Sequence, residues 1–229
     1  MRRVSPLAGS TIVFDLDGTL VDTAPDLLGT LNALLSAEGL PLLPLESART
    51  LIGQGAKALL ARGFAAAGEP LDPPKLDRLF DEFIAHYLGR IAQESRPFEG
   101  VVPALDTLAA AGARLAVCTN KRTDLSLALL DALGLTGRFA AIVGADSAPA
   151  PKPDPRHLWT AIELAGGAPG RAVMVGDSAS DARAARNGGV PLVLVSFGYT
   201  DIPAADLQPD VLIDAFADLP AACERLLGA

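Results

Sequence analysis

The chain has 229 residues, of which 50% are hydrophobic, so it can form one large domain or one domain that carries an insertion. Its formal net charge of −8 argues against a nucleic-acid-binding protein, because such proteins usually present a basic patch. The same charge does not exclude a phosphorylated small molecule, since a local site can be positive on an acidic protein.

The sequence predicts a protein that is not bound to a membrane. The basic start at Arg2 and Arg3 is not followed by an apolar stretch of signal-peptide length. No run approaches the roughly eighteen apolar residues of a membrane span. The two cysteines, Cys118 and Cys223, are too few for a disulfide framework and fit a reducing compartment. We therefore expect a cytoplasmic protein, either a monomer or a homodimer.

The stretch 11–22, TIVFDLDGTLVD, joins a short apolar strand to two carboxylates. The predicted strand ends at Asp15, and Asp17 follows after one residue. Gly18 allows a tight backbone path and Thr19 offers a hydroxyl. Like charges this close together require a cation or a shared proton between them. Because open α/β sheets build their sites at the carboxyl ends of strands, this stretch predicts a site at a sheet edge.

Residues 23–93 show helical periodicity and no strand pattern. Asp26 is placed to complement the dipole of the first helix, which the leucine spacing extends to Gly39. Three further helices are predicted, over residues 47–51, 56–67 and 75–93. A helical insertion directly after the first strand would lie above the carboxyl edge of the sheet, which is where a lid belongs.

Strands and helices alternate through the remainder of the chain. Strands are predicted over residues 114–118, 140–143, 172–175, 192–195 and 211–213. Helices are predicted over residues 101–111, 124–133, 156–165 and 180–186, and from residue 219. This alternation predicts an α/β fold with a parallel sheet, a Rossmann-like three-layer core. The expected core comprises residues 1–22 and 94–229, and the expected helical cap comprises residues 23–93.

Chemically active side chains follow the predicted strands. Parallel strands bring their carboxyl ends to one edge, so these residues should converge there. Beyond the first strand they are Thr119, Asn120, Lys121, Asp146, Lys152, Gly176, Asp177, Ser178 and Asp181. Carboxylates that bind a hard cation such as Mg²⁺, together with a lysine and a hydroxyl beside phosphoryl oxygens, suit phosphoryl transfer. Lys152 is informative because the chain has only four lysines.

Four short motifs resemble those of the haloacid dehalogenase-like superfamily. They are DLDGTL at 15–20, CTN at 118–120, Lys152 with Pro153, and GDSASD at 176–181. Their order and spacing agree with the superfamily over the whole core. The resemblance implies a helical cap inserted after the first motif and a Mg²⁺-dependent reaction through an aspartyl-phosphate.

The resemblance also implies a role for each motif residue. Asp15 would be the nucleophile and Asp17 the general acid and base, with Thr119 and Lys152 completing the catalytic set. Asp15, the backbone carbonyl of Asp17, and Asp177 would bind the metal. The residues implied to support the metal shell are Ser178 and Asp181, and those implied to bind the substrate within the core are Gly18, Thr19 and Asn120.

Three further stretches resemble the phosphoglycolate phosphatases of this superfamily. They are RTLIGQGAKALL at 49–60, PFEGV at 97–101 and FGY at 197–199. The resemblance favours 2-phosphoglycolate as the substrate. In the cap, the turn and helix start formed by Gly53, Gln54, Gly55 and Lys57, together with Arg49, are expected to meet the non-phosphate end of the substrate. Lys121 and Arg122 are expected to be mainly solvated charges.

Other activities of the same chemical class stay open. A sugar-phosphate mutase resembling β-phosphoglucomutase would share the aspartyl-phosphate step. A phosphonoacetaldehyde hydrolase would need a Schiff-base lysine from the cap, for which Lys57 is the candidate. A phosphatase acting on another small metabolite, such as a nucleotide or pyrophosphate, is a further alternative. A non-catalytic phosphate-binding module is disfavoured because all four motifs are intact.

Overall fold

A computed structural model describes residues 5–228, apart from the side chains of residues 48–50. The strands are β1 Thr11–Phe14, β2 Val21–Asp22, β3 Arg96–Pro97, β4 Arg114–Cys118, β5 Ala141–Val143, β6 Ala172–Gly176, β7 Leu192–Val195 and β8 Val211–Ile213. The α-helices are α1 Ala24–Ala37, α2 Leu45–Leu51, α3 Ala56–Ala66, α4 Pro73–Leu88, α5 Val101–Ala110, α6 Thr123–Ala132, α7 Pro155–Leu164, α8 Ala179–Gly188 and α9 Leu219–Leu227. Within residues 5–228, no helix has the length and hydrophobicity needed to cross a bilayer.

A six-stranded parallel sheet forms the centre of the molecule, in the order β5-β4-β1-β6-β7-β8. Ile12 and Phe14 of β1 pack in the hydrophobic cluster that includes α5 and α9, whereas Val13 packs in the cluster that includes α7 and α8. Burial on both faces explains why the strand is continuously apolar rather than alternating. The predicted α/β Rossmann-like fold is confirmed.

Helices α1 to α4 form a helical insertion between β2 and β3, with a hydrophobic cluster of their own. Leu31, Phe64 and Phe83 are fully buried in this cluster, and Leu125 and Tyr199 join it from outside the insertion. Helix α4 ends at Leu88, five residues before the predicted end, because Gly89 caps it and the chain then turns. All four of these helices lie within the range 23–93 that shows helical periodicity, and the last of them is shorter than predicted.

The chain enters and leaves the insertion at one place. Strands β2 and β3, which the sequence did not predict, form an antiparallel pair with Asp22 opposite Arg96. Buried Asp26 accepts hydrogen bonds from the amides of Glu94 and Ser95 at 3.0 and 2.8 Å. Burial opposes the charged form, but the Ser95 and Glu94 hydrogen bonds hold the pKa of Asp26 below its ordinary value. Asp26 therefore ties the two crossings together in addition to lying in the first turn of α1.

Candidate active site

The backbone after β1 fixes Asp15 at the carboxyl edge of the sheet. Its amide donates to the carbonyl of Val175 at 2.9 Å, which extends the ladder between β1 and β6 by one residue. The amide of Leu16 donates to Asp15 Oδ1 at 2.7 Å and orients the carboxylate. Gly18 then adopts φ +84°, and a Cβ atom there would collide with the carboxylate of Asp177. Glycine is therefore required both for the turn and for the close approach of Asp177.

Lys152 is a buried cation between two buried carboxylates. Its Nζ lies 2.9 Å from Asp15 Oδ1 and 2.7 Å from Asp181 Oδ1. Its backbone amide donates to Nδ1 of buried His157 at 3.1 Å, which fixes the loop. Burial disfavours the charged lysine, but the charges of Asp15 and Asp181 outweigh it and raise the pKa of Lys152. Burial also raises the pKa of Asp15 to about 6, against the opposing effect of Lys152.

Asp177 faces the same cluster from the end of β6. Its Oδ1 accepts a hydrogen bond from Thr19 Oγ1 at 2.9 Å, and its Oδ2 accepts one from the amide of Tyr199 at 2.5 Å. Burial, with the neighbouring charges of Asp181 and Asp15, raises the pKa of Asp177 well above its ordinary range. The role of Tyr199 was not predicted, although the FGY stretch that contains it was noted.

Asp181 is held by donors on both of its oxygens. Oδ2 accepts from the Ser178 hydroxyl at 2.6 Å and from the amides of Ser178 and Asp177 at 3.1 and 3.2 Å. Ser178 and Asp181 form a reciprocal capping box at the start of α8. Oδ1 accepts from Lys152. This arrangement is suited to orienting Asp177 and Lys152.

The acidic cluster fits a divalent metal. Carboxylate oxygens of Asp15, Asp177 and Asp181 lie within 4.8 Å of one another, and all three residues are buried. Lys152 supplies one positive charge against three potential negative charges. A hard cation with oxygen ligands would offset the remaining repulsion and would lower the raised pKa values of Asp15 and Asp177. The predicted metal ligands Asp15 and Asp177 are thus brought together, with Asp181 beside them.

The loop after β4 connects two of the predicted motifs. The Thr119 amide donates to Val143 at 3.0 Å, and Thr119 Oγ1 accepts from the Lys121 amide at 3.2 Å. The side-chain amide of Asn120 donates to the Lys152 carbonyl at 3.1 Å. Both Thr119 and Asn120 line the cavity described below. The loops that carry the second and third motifs are therefore held in fixed contact.

Lys121 differs from the sequence expectation. It is buried rather than solvated, and its Nζ contacts both carboxylate oxygens of Asp17 at 3.1 and 3.2 Å. The same Nζ donates to the hydroxyl of Tyr87 at 2.9 Å. The scarcity of lysine in this chain, and its position directly after Thr119 and Asn120, were signals that could have identified it. Arg122, by contrast, is exposed and pairs with Asp124, as expected of a solvated charge.

Asp146 is not part of the acidic cluster of Asp15, Asp177 and Asp181, although the sequence placed it among the convergent residues. One of its oxygens accepts hydrogen bonds from the amide and the hydroxyl of Thr123, at 2.8 and 2.7 Å. This residue begins α6, so Asp146 stabilises a helix N-terminus. An aspartate in a loop after a strand can therefore serve a local backbone role.

A cavity of about 210 Å³ separates the sheet edge from the helical insertion. The sheet side contributes the two motif-one aspartates and the loop after β4. The insertion contributes the turn before α3 and the aromatic face of α4. The residues that line it include Asp15, Asp17, Thr119, Asn120, Lys121, Gly53, Gln54, Gly55, Lys57, Phe80, Phe83 and Tyr87. The cavity is therefore polar at its base and apolar along the insertion.

The predicted residues of the insertion do lie at this cavity. Gly53 and Gly55 adopt φ values of +108° and +85°, a conformation that favours glycine, on either side of exposed Gln54. Lys57 lines the wall, but its Nζ pairs with exposed Asp77 at 2.6 Å. The side chain of Arg49 lies outside the described part of the chain.

The sequence match decides the family. Residues 12–195 match the family of haloacid dehalogenase-like hydrolases. The chain belongs to that family. The matched range begins in β1 and ends with β7, so it includes all four motifs and the helical insertion.

Similar proteins support a phosphatase. The chain is 57% identical to a phosphoglycolate phosphatase of Caulobacter vibrioides, covering 99% of this chain and 96% of that protein. It is 48% identical to a phosphoglycolate phosphatase of Agrobacterium fabrum, with the same coverage. The crystal structure of a predicted phosphoglycolate phosphatase from Haemophilus somnus superposes with a TM-score of 0.86 at 32% identity, covering 94% of this chain and 98% of that one. These findings confirm the predicted family and the phosphatase class.

Proposed function

We propose that this hydrolase removes the phosphoryl group of 2-phosphoglycolate in a Mg²⁺-dependent reaction through an aspartyl-phosphate on Asp15. The observation that carries the proposal is the position of Asp15. Its carboxylate is buried at the sheet edge, lies 2.9 Å from Lys152 and borders the cavity. The names of the similar proteins support the choice of substrate.

The residues at the cavity base can perform both halves of the reaction. A carboxylate oxygen of Asp15 attacks phosphorus while the ester bond to the glycolate oxygen breaks. Asp17 transfers a proton to that departing oxygen, so glycolate leaves as the alcohol. Asp17 then takes a proton from a water molecule that attacks the aspartyl-phosphate. The P–O bond to Asp15 breaks, and inorganic phosphate leaves.

The surrounding groups would bind the phosphoryl oxygens and the metal. Thr119, Asn120, Gly18 and Thr19 lie on the two loops that border Asp15, and Lys152 supplies positive charge beside it. Mg²⁺ bound by Asp15, Asp177 and the Asp17 carbonyl would supply further charge to the phosphoryl oxygens. Ser178 and Asp181 would support this shell through the contacts that orient Asp177.

We also propose that residues 23–93 act as a cap and that residues 1–22 and 94–229 form the catalytic core. The separate hydrophobic cluster of the insertion supports this division. In this arrangement Gly53, Gln54, Gly55 and Lys57 would contact the glycolate end of the substrate. The two cysteines are buried and unpaired, which supports a cytoplasmic location.

The test is phosphate release from a panel of phosphorylated metabolites, with MgCl₂ or with EDTA. Wild type should hydrolyse 2-phosphoglycolate best, and EDTA should abolish the activity. Asp15→Asn should lose at least about a thousandfold in kcat, as nucleophile variants commonly do. Asp146→Asn is the matched control, because this loop aspartate caps α6, and it should keep the wild-type rate. Persistent turnover in Asp15→Asn would exclude the proposed nucleophile.

Two measurements separate the covalent and metal assignments. Acid quenching during turnover, followed by peptide mass spectrometry, should find a phosphoryl group on the peptide that contains Asp15. Calorimetric titration with MgCl₂ should detect binding to wild type and weaker binding to Asp177→Asn. Unchanged binding in that variant would contradict the proposed ligand.

The same panel addresses the alternatives. Any turnover of hexose 1-phosphate should be hydrolysis. Isomerisation to the 6-phosphate would instead indicate a mutase. Pyrophosphate and nucleoside monophosphates should be poorer substrates. Phosphonoacetaldehyde should not be cleaved, since the ammonium of Lys57 pairs with Asp77 at the surface rather than standing free for a Schiff base.

A further inference from the structure

We infer that Lys121 is a positioning residue that holds the carboxyl group of Asp17 toward the leaving group, with Tyr87 of the helical insertion as its second anchor. This inference rests on the proposed function, in which Asp17 protonates the departing oxygen. It assigns a role to a lysine that the four motifs do not include. It also extends the catalytic apparatus from the sheet edge into α4.

The contacts of Lys121 use its whole hydrogen-bonding capacity. An ammonium group has three donors, and here Nζ meets Asp17 Oδ1 at 3.1 Å, Asp17 Oδ2 at 3.2 Å and the Tyr87 hydroxyl at 2.9 Å. Nζ also lies 4.5 Å from the centre of the Tyr87 ring, a cation–π contact. Only 4% of the Lys121 side chain is exposed, against 15% for Asp17. Both side chains line the cavity, and Asp17 is the more exposed of the pair.

Lys121 is itself held from both sides. Its amide donates to Thr119 Oγ1 at 3.2 Å, which fixes the backbone at the end of β4. Its side chain ends against Tyr87, which is fully buried in the last turn of α4 and stacks on Phe83 at 5.9 Å. Burial raises the pKa of the Tyr87 hydroxyl to about 12, so this hydroxyl is neutral and can accept the lysine hydrogen bond. A cation so enclosed cannot bind substrate without leaving Asp17 or Tyr87.

The two catalytic aspartates therefore each have a lysine partner. Lys152 contacts Asp15, which attacks phosphorus, and Lys121 contacts Asp17, which serves the leaving oxygen. A loss of Lys121 should consequently slow both proton transfers of Asp17, to the leaving oxygen and from the attacking water, and spare the attack by Asp15. Because the second transfer is common to all substrates, the rate of leaving-group release in the first turnover isolates the transfer to the leaving oxygen. The leaving group of the substrate distinguishes these effects. An alkyl phosphate such as 2-phosphoglycolate needs the proton, whereas p-nitrophenyl phosphate releases a stable phenolate without it.

The experiment compares KM and the rate constant of leaving-group release in the first turnover, on these two substrates, for wild type, Lys121→Met, Tyr87→Phe and Asp17→Asn. Lys121→Met should lower the first-turnover rate constant on 2-phosphoglycolate by about 10- to 100-fold, within the range that misplacing a general acid costs. Its first-turnover rate constant on p-nitrophenyl phosphate should change by no more than about threefold, and KM for both substrates should stay within about twofold. Asp17→Asn should show the same selective loss, and a larger one.

Tyr87→Phe tests the second anchor and does not depend on the stability of the lysine variant. It keeps the ring and its packing but removes the hydroxyl, so the first-turnover rate constant on 2-phosphoglycolate should fall about fivefold, as for one lost hydrogen bond. Lys75→Met is the matched control. Lys75 lies in the first turn of the same helix, about 18 Å from Tyr87 by the helical rise, and this variant should keep both rates.

The outcomes separate the inference from the proposed function. Absence of Mg²⁺-dependent hydrolysis by wild type on either substrate would contradict the proposed function. Normal wild-type activity with parallel losses of the first-turnover rate constant on both substrates in Lys121→Met or Tyr87→Phe would overturn the positioning role. An increase in KM with an unchanged first-turnover rate constant would also overturn it, because it would indicate substrate binding by Lys121. If Lys121→Met does not fold, as judged by circular dichroism, the ratio of the two first-turnover rate constants in Tyr87→Phe decides.

Discussion

Replacing Lys152 with methionine removes the ammonium group that lies between Asp15 and Asp181. Breaking a buried ion pair by removing one partner typically destabilises a protein by about 3–5 kcal/mol. The carboxylates can escape part of this loss by sharing one proton. At pH 7 that proton costs about 1.4 kcal/mol for each pH unit above an ordinary carboxyl pKa of about 3.9, or about 4 kcal/mol. We therefore expect Lys152→Met to lose about 3–4 kcal/mol at pH 7 in EDTA.

The loss should depend on pH in a defined direction. In the variant, folding requires a proton that the unfolded carboxyl groups do not hold at pH 7, so folding becomes easier as pH falls. At pH 5 the proton costs only about 1.5 kcal/mol. The stability difference between variant and wild type should therefore narrow from pH 7 to pH 5.

Urea unfolding followed by circular dichroism at both pH values measures this difference. Thermal unfolding at pH 7 should show a Tm lower by about 6–16 °C for a chain of this size. Lys75→Met removes a surface lysine paired with Glu38 and Glu69, and it should lose little stability. A loss in Lys152→Met no larger than in this control, or a loss independent of pH, would refute the role of Lys152 as the buried counter-charge.

Two further predictions concern groups around the same cluster. Gly198→Ala places a Cβ atom against Asp177, so we expect a loss of about 1–3 kcal/mol and weaker Mg²⁺ binding by calorimetry. In the control Gly170→Ala the added Cβ atom meets open space, so stability should change by less than about 0.5 kcal/mol. Equal losses of stability in the two variants would contradict the packing argument. Burial, and then the charge of Lys152, lower the pKa of His157 to about 4 from 6.5. Because the unfolded histidine takes up its proton first, stability should fall between pH 6.5 and pH 4, by up to about 3 kcal/mol, in urea titrations. His157→Gln should remove that part of the pH dependence. If the stability of this variant depends on pH as that of wild type does, His157 is not the cause.

Much of the fold could be predicted because its signals are local. Strands β4 and β7 coincide with the predicted ranges, since short apolar runs between turn residues are distinctive. The pair β2 and β3 could not be predicted in this way. Each strand has two residues, and their pairing joins positions more than seventy residues apart. Such a pair has no periodicity of its own and depends on tertiary structure.

The same distinction applies to the site. Asp15, Lys152 and Asp177 follow strands in recognisable motifs, and the parallel sheet brings them together. The scarcity of lysine and the place after Asn120 were signals for Lys121, but its partner Tyr87 could not be assigned from sequence because it lies on another element, 34 positions away. Asp146 shows the opposite case. Its loop follows a strand, as those of the other site residues do, but its carboxylate accepts a hydrogen bond from the amide of nearby Thr123.

The pairing of Asp22 with Arg96 makes the helical insertion a transplantable module. The chain leaves and re-enters the core at adjacent backbone positions, so a two-residue Asn-Gly turn could join β2 to β3 as an ordinary hairpin. Conversely, because β2 and β3 are already fixed side by side, the length of the segment inserted between them is hardly constrained. Evolution or a designer can thus exchange the helical insertion and leave the residues at the carboxyl edge of the sheet in place. The interface would need matching at Leu125 and Tyr199, which the present insertion covers.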